Sequence, residues 1–155
     1  MNYFKTISTV LFILVFHFHG FGQAFQLEQL EKFNKLDMPS FKEEIKKLKY
    51  SYYDKTESSE FNLYEYDSPD YQYKIGKFEY KNNKSSDRIE FQFKGKTEYD
   101  QYLKTITNIG YKKTETGKIP GGETFVDYFK DKSHVRLVSP KAGQENEPYT
   151  ILVFK

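Results

Sequence analysis

Alternating apolar and polar side chains dominate the chain after residue 50 and predict a fold built around a β-sheet. The clearest example is residues 88–94, where Ile89, Phe91 and Phe93 would share one face while charged and amide side chains take the other. One face of the sheet therefore meets water at this strand. The predicted strands are 50–54, 60–67, 71–81, 88–94, 111–115, 123–131, 134–139 and 149–155.

Helical spacing marks two segments before these strands and one between them. Residues 25–36 carry apolar side chains at mostly three-residue intervals, which is typical of an amphipathic helix. A second helix follows, with Asp37 or Ser40 as its N-cap. The third is predicted to begin after Thr97 and to end at Gly110, because glycine is common just past a last helical turn.

Three local features refine the strand prediction. The apolar series at 71, 73 and 75 resumes at 78 and 80, which predicts a β-bulge near Gly76. The Gly-Gly pair after Pro120 predicts a hairpin loop whose mobility could serve a binding edge. The last strand, 149–154, has apolar residues on both faces, so it is either central and covered on both sides or exposed to a partner.

A constant offset of 61 residues relates the two halves of the chain. The matched pairs are Phe41 and Tyr102, Ile45 and Ile106, Leu48 and Ile109, Tyr50 and Tyr111, and the closing Phe93-Lys94 and Phe154-Lys155. This self-similarity predicts a tandem repeat, with repeat 1 over about residues 37–96 and repeat 2 over about residues 97–155. We expect an α+β fold with one antiparallel sheet of seven to eight strands and the helices on one face.

The first 22 residues are predicted to be a signal peptide. A short segment containing Lys5 precedes an apolar centre, and small residues allow cleavage after Gly22 or Ala24. The alternative is an uncleaved anchor, but the apolar centre is well short of the ~20 residues that span a bilayer. We therefore expect a single α+β domain over residues 23–155, located in the periplasm or outside the cell, with no transmembrane segment once the leader is removed.

Composition excludes several function classes. The chain has no cysteine, and His134 is the one histidine beyond the predicted leader, so disulfides, thiol catalysis and histidine-based metal sites are not expected. We predict no metal and no cofactor. Lys plus Arg number 24 against 22 Asp plus Glu, a net charge of +2, which is too balanced for a nucleic-acid binder that works by phosphate neutralisation.

Catalytic chemistry finds little support in the motifs. His134 has Asp131 and Arg136 nearby and could act as a general base, but no nucleophile motif accompanies it. Carboxylate pairs such as Asp127 and Asp131 leave open a small carboxylate-dependent envelope hydrolase as an alternative. We predict a non-enzymatic protein with no catalytic residue, in which His134 and Arg136 are candidate binding residues.

Tyrosine is concentrated between residues 50 and 80. If Phe61 and Leu63 point inward, then Tyr64 and Tyr66 point outward, and Tyr53 joins them if Tyr50 and Tyr52 point inward. Tyrosine is enriched at protein interfaces, so these three side chains form a candidate surface for a protein or peptide partner. The tyrosines of this region are Tyr50, Tyr52, Tyr53, Tyr64, Tyr66, Tyr71, Tyr73 and Tyr80.

The repeated order of one helix followed by strands resembles the modules of β-lactamase-inhibitor proteins, which are small secreted proteins whose concave sheet grips a partner enzyme. The resemblance covers most of the chain after the leader but concerns element order alone, and the disulfides of that family cannot form here. It implies a binding module that uses the helix-free face of its sheet. The leader and the lysine-rich composition also resemble those of many short envelope proteins of Bacteroidetes-type bacteria. A structural subunit of an envelope complex is a further alternative.

Overall fold

The computed structural model describes residues 24–82 and 85–155. The predicted leader, residues 1–22, lies outside the described residues. The helices are α1 (Leu27–Lys35), α2 (Met38–Lys47) and α3 (Lys96–Asn108). The strands are β1 (Ser51–Glu57), β2 (Phe61–Asp67), β3 (Tyr73–Tyr80), β4 (Arg88–Phe93), β5 (Lys112–Lys118), β6 (Thr124–Lys130), β7 (Ser133–Ser139) and β8 (Tyr149–Phe154).

All eight strands belong to one antiparallel sheet in the order β1-β2-β3-β4-β8-β7-β6-β5. This confirms the predicted α+β class with a single antiparallel sheet. The last strand, β8, pairs with β4 on one edge and β7 on the other, so it is central, as one of the two predicted alternatives required. Within residues 24–82 and 85–155, no helix has the length and apolar character needed to cross a membrane.

One face of the sheet carries the main hydrophobic core. On β4 the side chains of Ile89, Phe91 and Phe93 are fully buried, and they share one cluster with helix residues such as Leu30 and Phe41. We call this side the core face and its reverse the opposite face. The prediction that the helices cover one face alone stays a prediction. The strand residues in the cluster are Tyr66, Tyr73, Ile75, Ile89, Phe91, Phe93, Tyr128, Val135, Leu137, Tyr149, Ile151 and Val153.

Of the N-caps predicted from the sequence for α2 and α3, the structure has one and lacks the other. Asp37 caps α2, because its carboxylate accepts a hydrogen bond of 2.8 Å from the backbone N–H of Ser40. The predicted Thr97 cap of α3 is wrong, since Gly95 takes the N-cap position and makes no side-chain cap. Glycine is tolerated at this position because the cap needs extended backbone geometry.

The predicted β-bulge at Gly76 is also wrong. Strand β3 pairs with β2 and with β4 without any shift of register. As a result Tyr73 and Ile75 face the core, whereas Phe78 and Tyr80 lie on the opposite face. The apolar series can change face because the opposite face also accommodates apolar side chains. There the guanidinium group of Arg88 covers Phe78, with its carbon 3.9 Å from the ring centroid.

Bulges occur instead in the two edge strands, between Tyr52 and Asp54 in β1 and between Lys113 and Glu115 in β5. These positions are separated by the same 61 residues that relate the two halves of the sequence. A bulge leaves an unpaired residue and increases the local twist, which makes an edge a poorer template for another strand.

The ends of α2 and α3 repeat at this offset as well. Lys49 and Gly110 have positive φ angles of 61° and 99°, and the next residue in each case, Tyr50 or Tyr111, donates its backbone N–H back into the last helical turn. The tandem repeat stays a prediction that these parallels support. Its closing match is wrong, because Phe93 lies on the core face and Phe154 on the opposite face.

Candidate binding cleft

A cleft of about 680 Å³ lies on the opposite face, over β4, β8 and β7. Its floor includes Gln92 of β4 together with Thr150 and Leu152 of β8. The loop between β5 and β6, residues 119–123, and the loop between β7 and β8, residues 140–148, provide walls. This volume falls within the range of ligand-binding pockets.

A buried ion-pair cluster borders the cleft. Asp127 is only 3% exposed, and its two carboxylate oxygens accept 2.7 Å hydrogen bonds from Nε and Nη2 of Arg136. His134 Nε2 lies 3.0 Å from Asp127 Oδ1. The register places Asp127 directly opposite Arg136, and His134 lies two residues away on the same face. The partner of His134 is therefore Asp127 and not the predicted Asp131.

The electrostatics of this cluster favour an ionised Asp127. Burial by itself would raise the pKa of Asp127, but the hydrogen bonds from Arg136 and His134 outweigh it and hold that pKa below 3.8. The same contact raises the pKa of Arg136. The cluster is thus a permanent ion pair at neutral pH and a poor source of protons.

Aromatic rings fix the His134 and Arg136 side chains of this cluster in place. The His134 ring is stacked between Phe129 and Phe154, with ring centroids 4.1 Å and 4.0 Å away and interplanar angles of 9° and 6°. The guanidinium carbon of Arg136 lies 3.9 Å from the centroid of Phe125. Both side chains are therefore held in one orientation before any ligand arrives.

A second anchored arginine lies on the other side of β8. Arg88 Nε donates a 2.7 Å hydrogen bond to Glu90 Oε1, and its Nη1 donates to the hydroxyl of Tyr80. Its guanidinium group also covers the Phe78 ring. Among the described residues, no hydrogen bond occupies Nη2 of Arg88 or Nη1 of Arg136, so each arginine keeps donors for a ligand.

The two wall loops touch each other at Gly122. This glycine has φ of +98°, and a Cβ there would lie 2.8 Å from Cε of Lys141 in the other loop. Its N–H donates to the carbonyl of Ile119 within its own turn. The adjacent Glu123 lines the cleft, and its buried Oε2 has no hydrogen-bond partner among the residues the structure describes.

The predicted tyrosine surface does not form. Tyr66 is 8% exposed and belongs to the core, where its ring packs edge-on against Phe41 at 6.1 Å. Tyr64 shares the core face and lies under the ammonium of Lys42, 3.4 Å from its ring centroid. The predicted outward orientation of Tyr64 and Tyr66 is wrong.

Tyr53 is exposed, as predicted, but stands apart from the other candidates. It occupies the bulge of β1, with Lys74 Nζ 3.1 Å from its ring centroid. Of the five predicted binding residues, only His134 and Arg136 lie at the cleft or its border. Sequence reasoning missed Arg88 and Gln92 as site residues, although the polar face of their strand had been recognised.

Among the described residues, no group of three or more His, Asp or Glu side chains is arranged to hold a metal ion. No protein-family model, curated protein or solved structure matches this chain. The resemblance in element order to β-lactamase-inhibitor-protein modules therefore stays a prediction.

Proposed function

We propose that this protein is a non-enzymatic binding module of the periplasm or cell exterior that holds a protein or peptide segment in the cleft on the opposite face. The observation that carries this proposal is the cleft itself, which has an anchored arginine on each side of the central strand β8. Its localisation rests on residues 1–22, which lie outside the described residues.

Preorganised polar groups beside an apolar floor support a binding role. Leu152 and Val138 supply apolar surface in the cleft, while Gln92 and Thr150 make no side-chain hydrogen bond to any described residue. Ligand sites combine such apolar surface with a few convergent polar groups that set orientation. The proposed binding surface is therefore the cleft and not the tyrosine surface predicted from the sequence.

The hydrolase alternative gains little from the carboxylates at the cleft. A general acid needs a raised pKa, whereas Arg136 and His134 hold that of Asp127 low. Burial does raise the pKa of Glu65, but this side chain does not line the cleft. The structural-subunit alternative would need a terminal strand that is open to a partner, and β8 is paired on both edges.

The test is site-specific photocrosslinking in the cells that make the protein. A photoreactive amino acid replaces Gln92 in the cleft or, as a matched control, Gln101 on the exposed surface of α3. We expect a discrete protein or peptide adduct from position 92 that is absent from position 101. The same adduct pattern from both positions, or no adduct from position 92, would contradict the proposal.

A further inference from the structure

We infer that the cleft binds an extended acidic peptide segment carrying two carboxylates two residues apart, one for Arg88 and one for Arg136. This inference rests on the proposed binding function and narrows its ligand class. It follows from the position of the arginines, their remaining donors and the polar groups on the cleft floor.

The register sets the spacing between the two carboxylates. Arg88 pairs with Phe154 and Arg136 pairs with Leu152, so the arginines flank β8 on either side, one two-residue step apart along it. Such a step spans about 7 Å in any extended chain. A peptide lying along β8 therefore presents the side chains of residues i and i+2 at the matching interval along the strand, and each carboxylate reaches sideways by one strand spacing of about 4.8 Å to its arginine.

Both guanidinium groups are prepared to receive an anion. Arg88 is held by Glu90 and the Phe78 ring, and Arg136 by Asp127 and the Phe125 ring. Each keeps the terminal nitrogen named above for a ligand. Charge-assisted hydrogen bonds from an oriented guanidinium group to a carboxylate are among the strongest that a protein makes.

The cleft floor suits a peptide main chain. Gln92 and Thr150 lie directly opposite each other in the β4–β8 register. A glutamine amide offers the same donor and acceptor as a peptide group, and a hydroxyl can donate or accept. The floor runs along β8 from Thr150 to Phe154, about 14 Å, which is the span of four to five extended residues.

The remaining charges orient the ligand. At its loop end, away from the arginines, the cleft is lined by Glu123, Glu147 and Lys141, which together leave one net negative charge there. The third carboxylate of the lining, Glu90, is paired with Arg88. The net negative charge disfavours an acidic side chain near the loops. The acidic pair of the ligand accordingly lies at the Arg88 and Arg136 end of β8, and its neutral or basic end lies toward the loops.

The probes are three mixtures of five-residue peptides with blocked ends, in which positions 2 and 4 are both Glu, both Gln or both Lys and the other positions vary. Binding to the full chain is followed by NMR shifts of the backbone amides of Gln92, Thr150 and Leu152. We expect the Glu mixture to bind at least about tenfold more tightly than the Gln mixture. Equal binding of Glu and Gln mixtures, or preference for Lys, would overturn the inference.

The variant Arg88→Gln should reduce binding of the Glu mixture about tenfold and reduce binding of the Gln mixture by a smaller factor. Lys104→Gln on exposed α3 removes the same charge outside the cleft and should change neither. The variant Arg136→Lys keeps a cation beside Asp127, so binding of the Glu mixture to it tests the second arginine without leaving the buried Asp127 carboxylate unpaired.

If position 92 crosslinks to a partner while the Glu mixture is not preferred to the other peptide mixtures, the acidic-peptide inference fails and the binding function stands. If the crosslinking from position 92 and the peptide binding both fail, the binding function and the acidic-peptide inference are both wrong.

Discussion

At the scale of single residues, the Asp127 ion pair makes folding depend on pH. The folded pKa of Asp127 lies below its ordinary value of 3.8, so its stabilising contribution is fully present above that pH. It is lost as the pH falls through the folded pKa. Protonation of Asp127 should therefore contribute to unfolding of the protein in acid.

The variant Asp127→Asn removes the carboxylate that accepts both hydrogen bonds from the Arg136 guanidinium group. We expect a loss of about 2 to 3 kcal/mol in the free energy of unfolding at pH 7, because half-buried charges are costly when their partner is removed. Urea denaturation from pH 7 to pH 3 measures this. As the pH falls toward 3, the free energy of unfolding of the variant should also decrease less than that of the native chain.

The matched control is Asp131→Asn, an exposed turn residue with φ of 53° that asparagine also adopts. It should stay within about 0.5 kcal/mol of the native chain. Equal effects of the two substitutions would show that the Asp127 cluster adds nothing to stability.

A second buried charge, Lys77, lies on the core face with no exposed surface. Its ammonium donates hydrogen bonds to the carbonyls of Phe33 at 3.4 Å and Asn34 at 3.2 Å, near the C-terminal end of α1. Burial lowers its pKa from 10.5, so the charged form costs stability below the folded pKa. This cost disappears as the pH rises through the folded pKa toward 10.5.

We expect Lys77→Met to cost at most about 1 kcal/mol, because methionine keeps the volume and removes the buried charge while losing two long hydrogen bonds. Lys77→Ala should cost about 3 kcal/mol, since it leaves a cavity. Urea denaturation at pH 7 compares them. If both variants lose the same stability, the charge and its hydrogen bonds matter more than the volume.

At the scale of elements, the contact between the two wall loops shapes the cleft. Gly122→Ala would suffer both from its positive φ and from the contact with Lys141, whereas Gly143→Ala has a positive φ of 83° but no atom within 4 Å of the new Cβ. We expect the first to lose at least about 1 kcal/mol more than the second, as measured by thermal unfolding. Equal losses would mean that Lys141 moves aside without cost.

The strands show where sequence patterns predict faces and where they do not. The alternation in β4 predicted its core face correctly, because Arg88, Glu90 and Gln92 are all polar and lie on the opposite face. In β2 both faces are partly covered, so Phe61 and Leu63 did not mark the core and Tyr64 and Tyr66 were assigned to the wrong face. Apolar periodicity fails here because aromatic rings also pack on the opposite face, where Phe61 contacts Phe78 and Arg88 covers the Phe78 ring.

The site was predictable to a smaller extent than the fold. His134 and Arg136 lie two residues apart on one predicted strand, so a single segment of sequence points to both. The position of Arg88 beside the same cleft depends on the pairing of β4 with β8, about 60 residues apart in sequence. Local patterns carry no information on that pairing.

At the scale of the whole molecule, the cleft arises where the two halves of the sheet meet. The β4–β8 pair joins a half made of β1 to β4 with a half made of β5 to β8, and the wall loops belong to the second half alone. If the halves are repeats, as we predict, the binding site is a specialisation of one copy. We propose that the partner binds in this cleft and on no other surface.

The most direct test of this proposal is to measure partner capture by a variant in which a larger side chain fills the cleft. Thr150→Trp places a large side chain on the cleft floor, and Thr116→Trp makes the same change on the exposed edge strand β5. With thermal unfolding used to verify that both variants fold, we expect Thr150→Trp to abolish the adduct formed from position 92 and Thr116→Trp to preserve it. Undiminished capture by a folded Thr150→Trp variant would show that the partner binds elsewhere.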